Sequence, residues 1–345
     1  MNWVWREDWR IAGWEYPARP SVAARAGNDT SRHHEIVPPI PAAHPSLDLQ
    51  SRATVAYVSL ALGDALGATV EFMTPREIVA QYGIHDRIRG GGWLRLRRGQ
   101  VTDDTTMALA LGQAILTAGK IDALSIAQAF DAWMRAKPVD IGNTVRRGLV
   151  YFRKTGIPKV PPSEHDAGNG AAMRILPVAL ATLGQAEELV RAACRIQAHV
   201  THHNALSDAA TECLALMLQD LLNGAAKSHV LQARVEPLID QYPQFEYRQR
   251  RRENPSGYVV ETMQAVFQAF FSTDNWRDCL VDVVNRGGDA DTTGAISGML
   301  AGALYGLDGL PRGWRAELEQ DSRQACKAQA QALLELAFKT GPAGT

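Results

Sequence analysis

The stretch that organises this sequence runs from Gly287 to Gly306 and reads GGDADTTGAISGMLAGALYG. Its two aspartates and two threonines directly precede an apolar run, which is typical of a helix start, because acidic and hydroxyl side chains satisfy free backbone N–H groups there. Glycine then recurs at every fourth position, which places these residues on one helix face: Gly294, Gly298, Gly302 and Gly306. Each glycine lowers intrinsic helix stability by about 1 kcal/mol. We therefore predict that a neighbouring helix packs closely on this face.

A second acidic segment has the same design. It reads Thr102-Asp103-Asp104-Thr105-Thr106 and precedes the apolar run 107–111. Capping accounts for one acid in each segment, but each segment carries two, and carboxylates this close repel one another unless a cation lies between them. Carboxylate and hydroxyl ligands favour Mg²⁺, Mn²⁺ or Ca²⁺ over zinc. Spacing alone leaves helix capping and a site for a hard divalent cation both open.

Beyond about residue 51 the apolar pattern is helical throughout. Apolar residues recur at three- and four-residue steps from residue 55, and the same spacing recurs in 105–118, 122–135, 171–183, 205–222, 258–271 and 291–305. The one strand-like stretch, 93–97, could be a short hairpin arm or a loop. Residues 51–345 are therefore predicted to form a single all-α domain with many helices.

Residues 1–50 have a different composition. This segment contains six prolines, which interrupt regular structure, and four of the eight tryptophans: Trp3, Trp5, Trp9 and Trp14. We expect an extended arm rather than a domain. Because each indole can bury roughly 150–250 Å², the tryptophans should pack on the body of this protein or on a partner.

Composition narrows the class of protein further. Of 345 residues, 46% are hydrophobic and 21% are charged, and the formal net charge is −1, so the basic excess of nucleic-acid-binding proteins is absent. The four cysteines lack the spacing of a disulfide framework or a zinc site, which indicates free thiols in a reducing compartment. The charged start lacks a signal-peptide pattern, and the apolar run 295–307 is short for a membrane span. We expect a cytoplasmic protein that binds neither nucleic acid nor membrane.

Seven motifs follow one another over some 250 residues. They are Gly63-Asp64-Ala65-Leu66-Gly67-Ala68-Thr69-Val70-Glu71-Phe72, Thr102-Asp103-Asp104-Thr105, Asp140-Ile141-Gly142-Asn143-Thr144, Gly168-Asn169-Gly170-Ala171-Ala172-Met173-Arg174, Thr201-His202, Ser256-Gly257-Tyr258-Val259 and Gly288-Asp289-Ala290-Asp291-Thr292. In this order they resemble the ADP-ribosylglycohydrolase family. The resemblance covers residues 53–306 and leaves out the arm.

The resemblance implies an all-α fold with two divalent ions, Mg²⁺ or Mn²⁺, in a cleft. The implied metal ligands are Thr102, Asp103, Asp104, Asp289, Asp291 and Thr292. Glu71 would lie beside the metals as a ligand or proton carrier, and Asp104 or Asp291 could bridge the ions. Glu71, Asp104 and Asp291 are thus the expected catalytic residues. Asp64, which could cap a turn, is expected to have a structural role, as are His202 and His203.

The same resemblance implies a binding site for ADP-ribose. Residues from the glycine-rich motif, namely Gly168, Asn169, Gly170 and Met173, would contact the diphosphate and the ribose. Tyr258 would stack on the adenine, and Asp140 would engage the distal ribose. From the residues alone, each has a structural alternative: a helix cap for Asp140 and the glycine-rich motif, and a core aromatic for Tyr258.

The implied activity is hydrolysis of the bond between ADP-ribose and arginine in a mono-ADP-ribosylated protein. Other branches of the family cleave serine-linked ADP-ribose or small ADP-ribose esters, and a purely binding or inhibitory protein is a further alternative. The layout is also similar to immunity proteins in which an N-terminal extension blocks an ADP-ribosyltransferase toxin. By that resemblance residues 1–50 would bind such a toxin.

Overall fold

The computed structural model describes residues 46–340 of the chain. Its helices are, in chain order, α1 (Leu47–Gly67), α2 (Pro75–Tyr82), α3 (Asp103–Ala118), α4 (Ala123–Arg135), α5 (Asn143–Thr155), α6 (Leu176–Ala181), α7 (Glu187–Ala198), α8 (Ala205–Leu222), α9 (Lys227–Val230), α10 (Glu236–Gln241), α11 (Val259–Ser272), α12 (Trp276–Val284), α13 (Ala290–Tyr305), α14 (Arg312–Glu317) and α15 (Gln320–Thr340). One π-helical turn, Leu231–Val235, joins α9 to α10. The predicted all-α fold is confirmed for these residues.

The strand-like stretch 93–97 is a loop. Across residues 46–340, β pairing is limited to two single bridges, Gly91 with Leu96 and Gly168 with Tyr258. The first bridge closes a tight turn that begins within three consecutive glycines, residues 90–92, all with positive φ. That backbone conformation suits glycine, so the chain reverses too sharply here for a longer strand pair.

Helix α1 begins at Leu47, so residues 47–50, which we assigned to the extended arm, are helical. The side chain of Ser46 accepts a hydrogen bond from the Leu49 N–H group, as an N-cap residue does. The cap therefore starts the helix before the aliphatic repeat at residue 55 becomes visible. The rest of the predicted arm, with its four tryptophans, lies outside the described residues.

The helix predicted at 171–183, by contrast, is shorter than expected. Helix α6 spans Leu176–Ala181, with Pro177 in its first turn, a position that proline favours. Residues 171–174 form turns that lead into it. Met173 and Arg174 consequently lie ahead of the helix rather than on it, although both side chains are buried.

Helices α1 and α13 run antiparallel with their backbones in close contact. A Cβ atom on Gly294 would lie 2.4 Å from the carbonyl oxygen of Gly63, and one on Gly298 would lie 2.1 Å from that of Ser59. At the end of α1, a Cβ on Gly67 would lie 2.0 Å from the Ala290 carbonyl oxygen. The predicted close packing is confirmed for Gly294, Gly298 and Gly302, while Gly306 has open space around it and ends the helix with positive φ.

The paired helices form the centre of the domain. Every residue of α13 from Ala290 to Ala303 is buried, which is the pattern of a helix enclosed on all sides. Helices α3 and α15 pack on α1, and helices α8, α11 and α12 pack on α13. None of the helices between residues 46 and 340 combines the length and apolar character that crossing a bilayer requires.

We expect Gly298→Ala to lower the free energy of unfolding by about 1–3 kcal/mol, as overpacked cores do, because its methyl group would collide with the Ser59 carbonyl. The matched control is Gly313→Ala at an exposed position of α14, where a Cβ meets no atom within 4 Å. Urea unfolding of both variants makes the comparison. Equal stability of the two would contradict the proposed close packing.

Candidate active site

The two acidic segments meet where α1 ends and α13 begins. Carboxylate oxygens of Asp103, Asp104 and Asp291 lie within 4.8 Å of one another, and so do those of Glu71, Asp289 and Asp291. Asp291 belongs to both groups. Segments nearly 190 residues apart in sequence thus form one cluster of five carboxylates at the ends of three helices.

Asp64 fixes the start of α3 from one turn before the end of α1. Its carboxylate accepts hydrogen bonds from the backbone N–H and the hydroxyl of Thr102, at 3.0 Å each, and from both groups of Thr105. Thr102 occupies the N-cap position but makes no capping bond of its own. Asp64 therefore caps α3 from a different helix, and its expected structural role is confirmed.

The Gly287–Gly288 turn fixes the other acidic segment. Both glycines have positive φ, and a Cβ atom on either would lie about 2 Å from a carbonyl oxygen, Met73 in one case and Pro255 in the other. The N–H group of Gly288 donates to the Met73 carbonyl at 3.0 Å, and the Phe72 N–H donates to the Gly288 carbonyl at 2.7 Å. These two hydrogen bonds hold the segment that carries Glu71 against the start of α13.

Glu71 has a partner that the sequence did not reveal. The indole N–H of Trp93 donates a hydrogen bond to Oε2 of Glu71 at 2.7 Å. Trp93 belongs to the glycine-rich loop, and the three glycines before it could have indicated a tight turn. No sequence signal linked that loop to Glu71, because the contact is tertiary.

The Gly168–Gly170 loop holds Asp289. The Asn169 side-chain amide donates to Asp289 Oδ2 at 2.7 Å and to the Thr262 hydroxyl at 2.9 Å. The loop pairs with the residues before α11, since Gly168 forms a bridge with Tyr258. Asn169 thereby joins the predicted ADP-ribose side of the site to the acidic cluster, and Tyr258 is 40% exposed.

His202 explains why two glycines flank Asn169. A Cβ atom on Gly168 or Gly170 would lie within 3 Å of the His202 ring. The ring nitrogen Nδ1 lies 2.8 Å from the hydroxyl of Thr201, which also accepts a bond from the buried guanidinium of Arg174. His202 thus has the structural role that was expected, while His203 contacts the Val160 carbonyl.

Of the other predicted substrate-binding residues, Asp140 approaches the cluster and Met173 is enclosed in the core. Asp140 is close enough that its charge contributes to the raised pKa of Asp103. It does not cap α5, whose N-cap residue is Gly142. The Met173 side chain is buried at 3% exposure. Its contact with a substrate therefore stays a prediction.

The residues present fit a divalent cation. Asp104 Oδ1 is buried without a hydrogen-bond partner, which is costly for a carboxylate oxygen unless a cation binds it. Its other oxygen accepts from the hydroxyls of Thr102 and Thr292 at 3.3 Å each. All the ligands on offer are oxygen atoms, as Mg²⁺ and Mn²⁺ prefer.

Burial dominates the electrostatics of the cluster. It raises the pKa of Asp103 to about 8, with a further rise caused by the charge of Asp140. It also raises the pKa of Glu71 to about 8, against the opposing effect of the Trp93 hydrogen bond. Burial raises the pKa of Asp104 and of Asp291 well above the usual range, and neighbouring carboxylates add to both shifts. Ionised together, these groups need compensating positive charge.

We expect the acidic cluster of the metal-free protein to lower its stability as the pH rises from about 4 to about 8. Within that window the cluster carboxyls stay protonated in the folded state but ionise in the unfolded chain, so the folded state binds more protons. Between about pH 5.5 and about pH 8 in EDTA, the midpoint of thermal unfolding should therefore fall more, or rise less, in the wild type than in Asp291→Asn. This comparison cancels the opposite contribution of buried histidines such as His202, whose pKa is lowered by burial. Mg²⁺ or Mn²⁺ should raise the midpoint more at the higher pH, because a cation stabilises the ionised form.

Two variants distinguish the effect of the acidic cluster from that of other titratable groups. Asp291→Asn should reduce both the pH dependence and the response to cation, since Asp291 belongs to both carboxylate groups. Glu188→Gln, at an exposed position, should leave both unchanged. An unaltered cation response in Asp291→Asn would contradict the assignment of a cation to this cluster.

Comparison with known proteins places this site in a family. A family model described as ADP-ribosylglycohydrolase matches residues 45–343. The chain is 47% identical over 289 residues to the ADP-ribosyl-[dinitrogen reductase] glycohydrolase of Rhodospirillum rubrum, which covers 84% of this chain and 97% of that protein. It is 32% identical over 320 residues to the ADP-ribosylarginine hydrolase Tri1 of Serratia proteamaculans, with 89% and 86% coverage.

The fold agrees with this result. A solved structure named ADP-ribosylglycohydrolase-related protein complex superposes with a TM-score of 0.75 at 34% sequence identity, covering 84% of this chain and 99% of that chain. The family match includes the whole acidic cluster and all the helices that position it. This chain therefore belongs to the ADP-ribosylglycohydrolase family and is a hydrolase of that family.

Proposed function

We propose that this protein hydrolyses the N-glycosidic bond between ADP-ribose and an arginine side chain of a modified protein, in a reaction that depends on two Mg²⁺ or Mn²⁺ ions. The observation that carries this proposal is the sharing of Asp291 by two groups of three carboxylates. Such an arrangement would suit two divalent cations that have Asp291 as a common ligand residue.

Relatives support the choice of substrate. The Rhodospirillum rubrum relative is named for its action on ADP-ribosyl dinitrogen reductase, a modified protein, and the Serratia proteamaculans relative for its action on ADP-ribosylarginine. A second ADP-ribosylarginine hydrolase Tri1, from Pseudomonas putida, is 35% identical over 281 residues. A mono-ADP-ribosylated protein with arginine as the acceptor is the substrate that agrees with all three.

In the proposed reaction each of the two carboxylate groups would hold one cation. Asp103, Asp104 and Asp291 would form one set of ligands and Glu71, Asp289 and Asp291 the other, with the hydroxyls of Thr102 and Thr292 as further ligands. Bound there, the cations would supply Lewis-acid chemistry. Asn169 orients Asp289 through its 2.7 Å hydrogen bond, so one carboxylate oxygen is already directed by the protein.

Proton transfer is assigned to Glu71. Water adds its hydroxyl group to C1″ of the distal ribose, the bond from C1″ to the guanidine nitrogen breaks, and that nitrogen takes up a proton. Glu71 suits this transfer because Trp93 holds one of its oxygens, while the carboxyl group lies at the edge of the cluster next to exposed side chains.

ADP-ribose would extend from the cluster along the Gly168–Gly170 loop. Asn169 reaches the cluster from this loop, and the exposed ring of Tyr258 lies beside Gly168, where it could accept a stacked adenine. Asp140 would engage the distal ribose next to Asp103. Packing against His202 already explains the glycines at 168 and 170, so backbone approach to the diphosphate is a separate element of this proposal.

We expect Asp103→Ala and Asp291→Ala to lower the release of ADP-ribose from an arginine-modified protein by about a hundredfold or more, since even outer contacts of a metal site contribute ten- to a hundredfold. The assay measures free ADP-ribose with Mg²⁺, with Mn²⁺ and with EDTA. Circular dichroism should show that both variants stay folded, and Glu188→Gln serves as the control. Full activity in either alanine variant, or in EDTA, would contradict the metal-dependent mechanism.

The same assay separates the proposed linkage from its alternatives. Release from serine-linked ADP-ribose or from a small ADP-ribose ester, without release from arginine, would change the substrate and keep the site. No release from any of them would favour a binding or inhibitory role.

The tryptophan-rich segment motivates a second proposal, that residues 1–45 bind an ADP-ribosyltransferase toxin and so block it. Four tryptophans within the first fourteen residues favour a partner surface, because tryptophan is enriched in binding hot spots. Deleting residues 1–45 should then abolish binding to a purified bacterial ADP-ribosyltransferase while hydrolysis is retained. Unchanged binding by the truncated protein would contradict this role.

A further inference from the structure

Two exposed aromatic side chains lie beside the acidic cluster. The rings of Phe72 and Trp93 have centroids 5.4 Å apart and are tilted by 50°. Phe72 is 65% exposed and Trp93 is 52% exposed, although both adjoin the buried carboxylate of Glu71. Phe72 follows Glu71 directly in sequence, and Trp93 bonds to it. The proposed mechanism makes no use of these aromatic surfaces.

The backbone holds Phe72 at this position against its local preference. Its φ angle is 62°, in the left-handed region, which is unfavourable for a bulky side chain. The hydrogen bond from its N–H group to the Gly288 carbonyl maintains this conformation. Glycine or asparagine would adopt it more easily, so an exposed phenylalanine here indicates a role for its ring in binding.

The hydrogen bond from its indole N–H group orients the ring of Trp93. The indole N–H donates this hydrogen bond to Glu71, and the residue as a whole remains 52% exposed. An aromatic surface and a carboxylate are therefore presented together. That combination recognises a planar cation, because a guanidinium group stacks on aromatic rings and forms hydrogen bonds to a carboxylate.

The aromatic pair and the expected ADP-ribose site are linked to the acidic cluster through different carboxylates. Asp289 links the cluster to the ADP-ribose side, because it accepts the Asn169 bond and lies 3.6 Å from the Cβ position of Gly257, next to Tyr258. Glu71 links the cluster to the aromatic pair. A substrate with its ADP-ribose beside Tyr258 and its scissile bond at the cluster would thus direct its acceptor toward Phe72 and Trp93.

We infer that Phe72 and Trp93 form the binding site for the guanidinium group of the modified arginine, with the Glu71 carboxylate beside it. This inference rests on the proposed function, since it needs arginine as the acceptor.

The test compares a substrate that has the guanidinium with a ligand that lacks it. ADP-ribosyl-agmatine serves as substrate, and free ADP-ribose serves as inhibitor. Phe72→Leu and Trp93→Leu should each lower kcat/KM for ADP-ribosyl-agmatine about fivefold, mainly through KM, by loss of cation–π contact. The inhibition constant for ADP-ribose should stay within about twofold of the wild-type value, since ADP-ribose does not reach this site.

Two further variants separate binding from positioning. Trp93→Phe keeps an aromatic ring but removes the bond to Glu71, so kcat should fall while KM stays near the wild-type value. Val79→Ala removes apolar surface at a residue that is also 65% exposed, and it should change neither constant.

The inference would be overturned if the leucine variants lost affinity for ADP-ribose and for ADP-ribosyl-agmatine equally. Wild-type kinetics in both Phe72→Leu and Trp93→Leu would overturn it as well. Failure of the wild-type protein to cleave both ADP-ribosyl-agmatine and an arginine-ADP-ribosylated protein, while it binds ADP-ribose, would instead contradict the proposed function, and the inference with it.

Discussion

The backbone contact between α1 and α13 is the constraint on which the site depends. Glycines on both helices allow carbonyl oxygens to lie where a Cβ atom would otherwise be, so the two axes approach more closely than side chains permit. Because the helices are antiparallel, the end of α1 meets the start of α13. Asp64 therefore lies near Asp291, and backbone hydrogen bonds that join Phe72 and Met73 to Gly288 hold the turns carrying Glu71 and Asp289 together.

This arrangement concentrates negative charge in a buried place. Asp64 carries the constraint from α1 to α3 by capping that helix, which brings Asp103 and Asp104 to the same point. Burial and mutual repulsion then raise the pKa of several carboxyls. The fold supplies the rigidity, and a bound cation would supply the missing positive charge. Stability and affinity for cations are thereby linked through one set of residues.

The sequence predicted the helical fold and both acidic segments, because helical periodicity and clustered carboxylates are local signals. It also indicated the close packing of Gly294 and Gly298. Contacts between residues far apart in the sequence could not be predicted. The hydrogen bond between Trp93 and Glu71 is one example, since loops carry no periodic pattern. The first turn of α1 was missed because Ser46 and not the aliphatic repeat starts that helix. The helix predicted at 171–183 was too long, because the apolar residues of the turn before α6 have the spacing of helical residues.

We propose that the five carboxylates form a site for two cations with Asp291 in common. Calorimetric titration with Mn²⁺ tests this proposal. The wild-type protein should bind two ions, Glu71→Gln should retain one of them, and Asp291→Asn should weaken both. Binding of two ions by Asp291→Asn with wild-type affinity, or the absence of any binding by the wild-type protein, would contradict it.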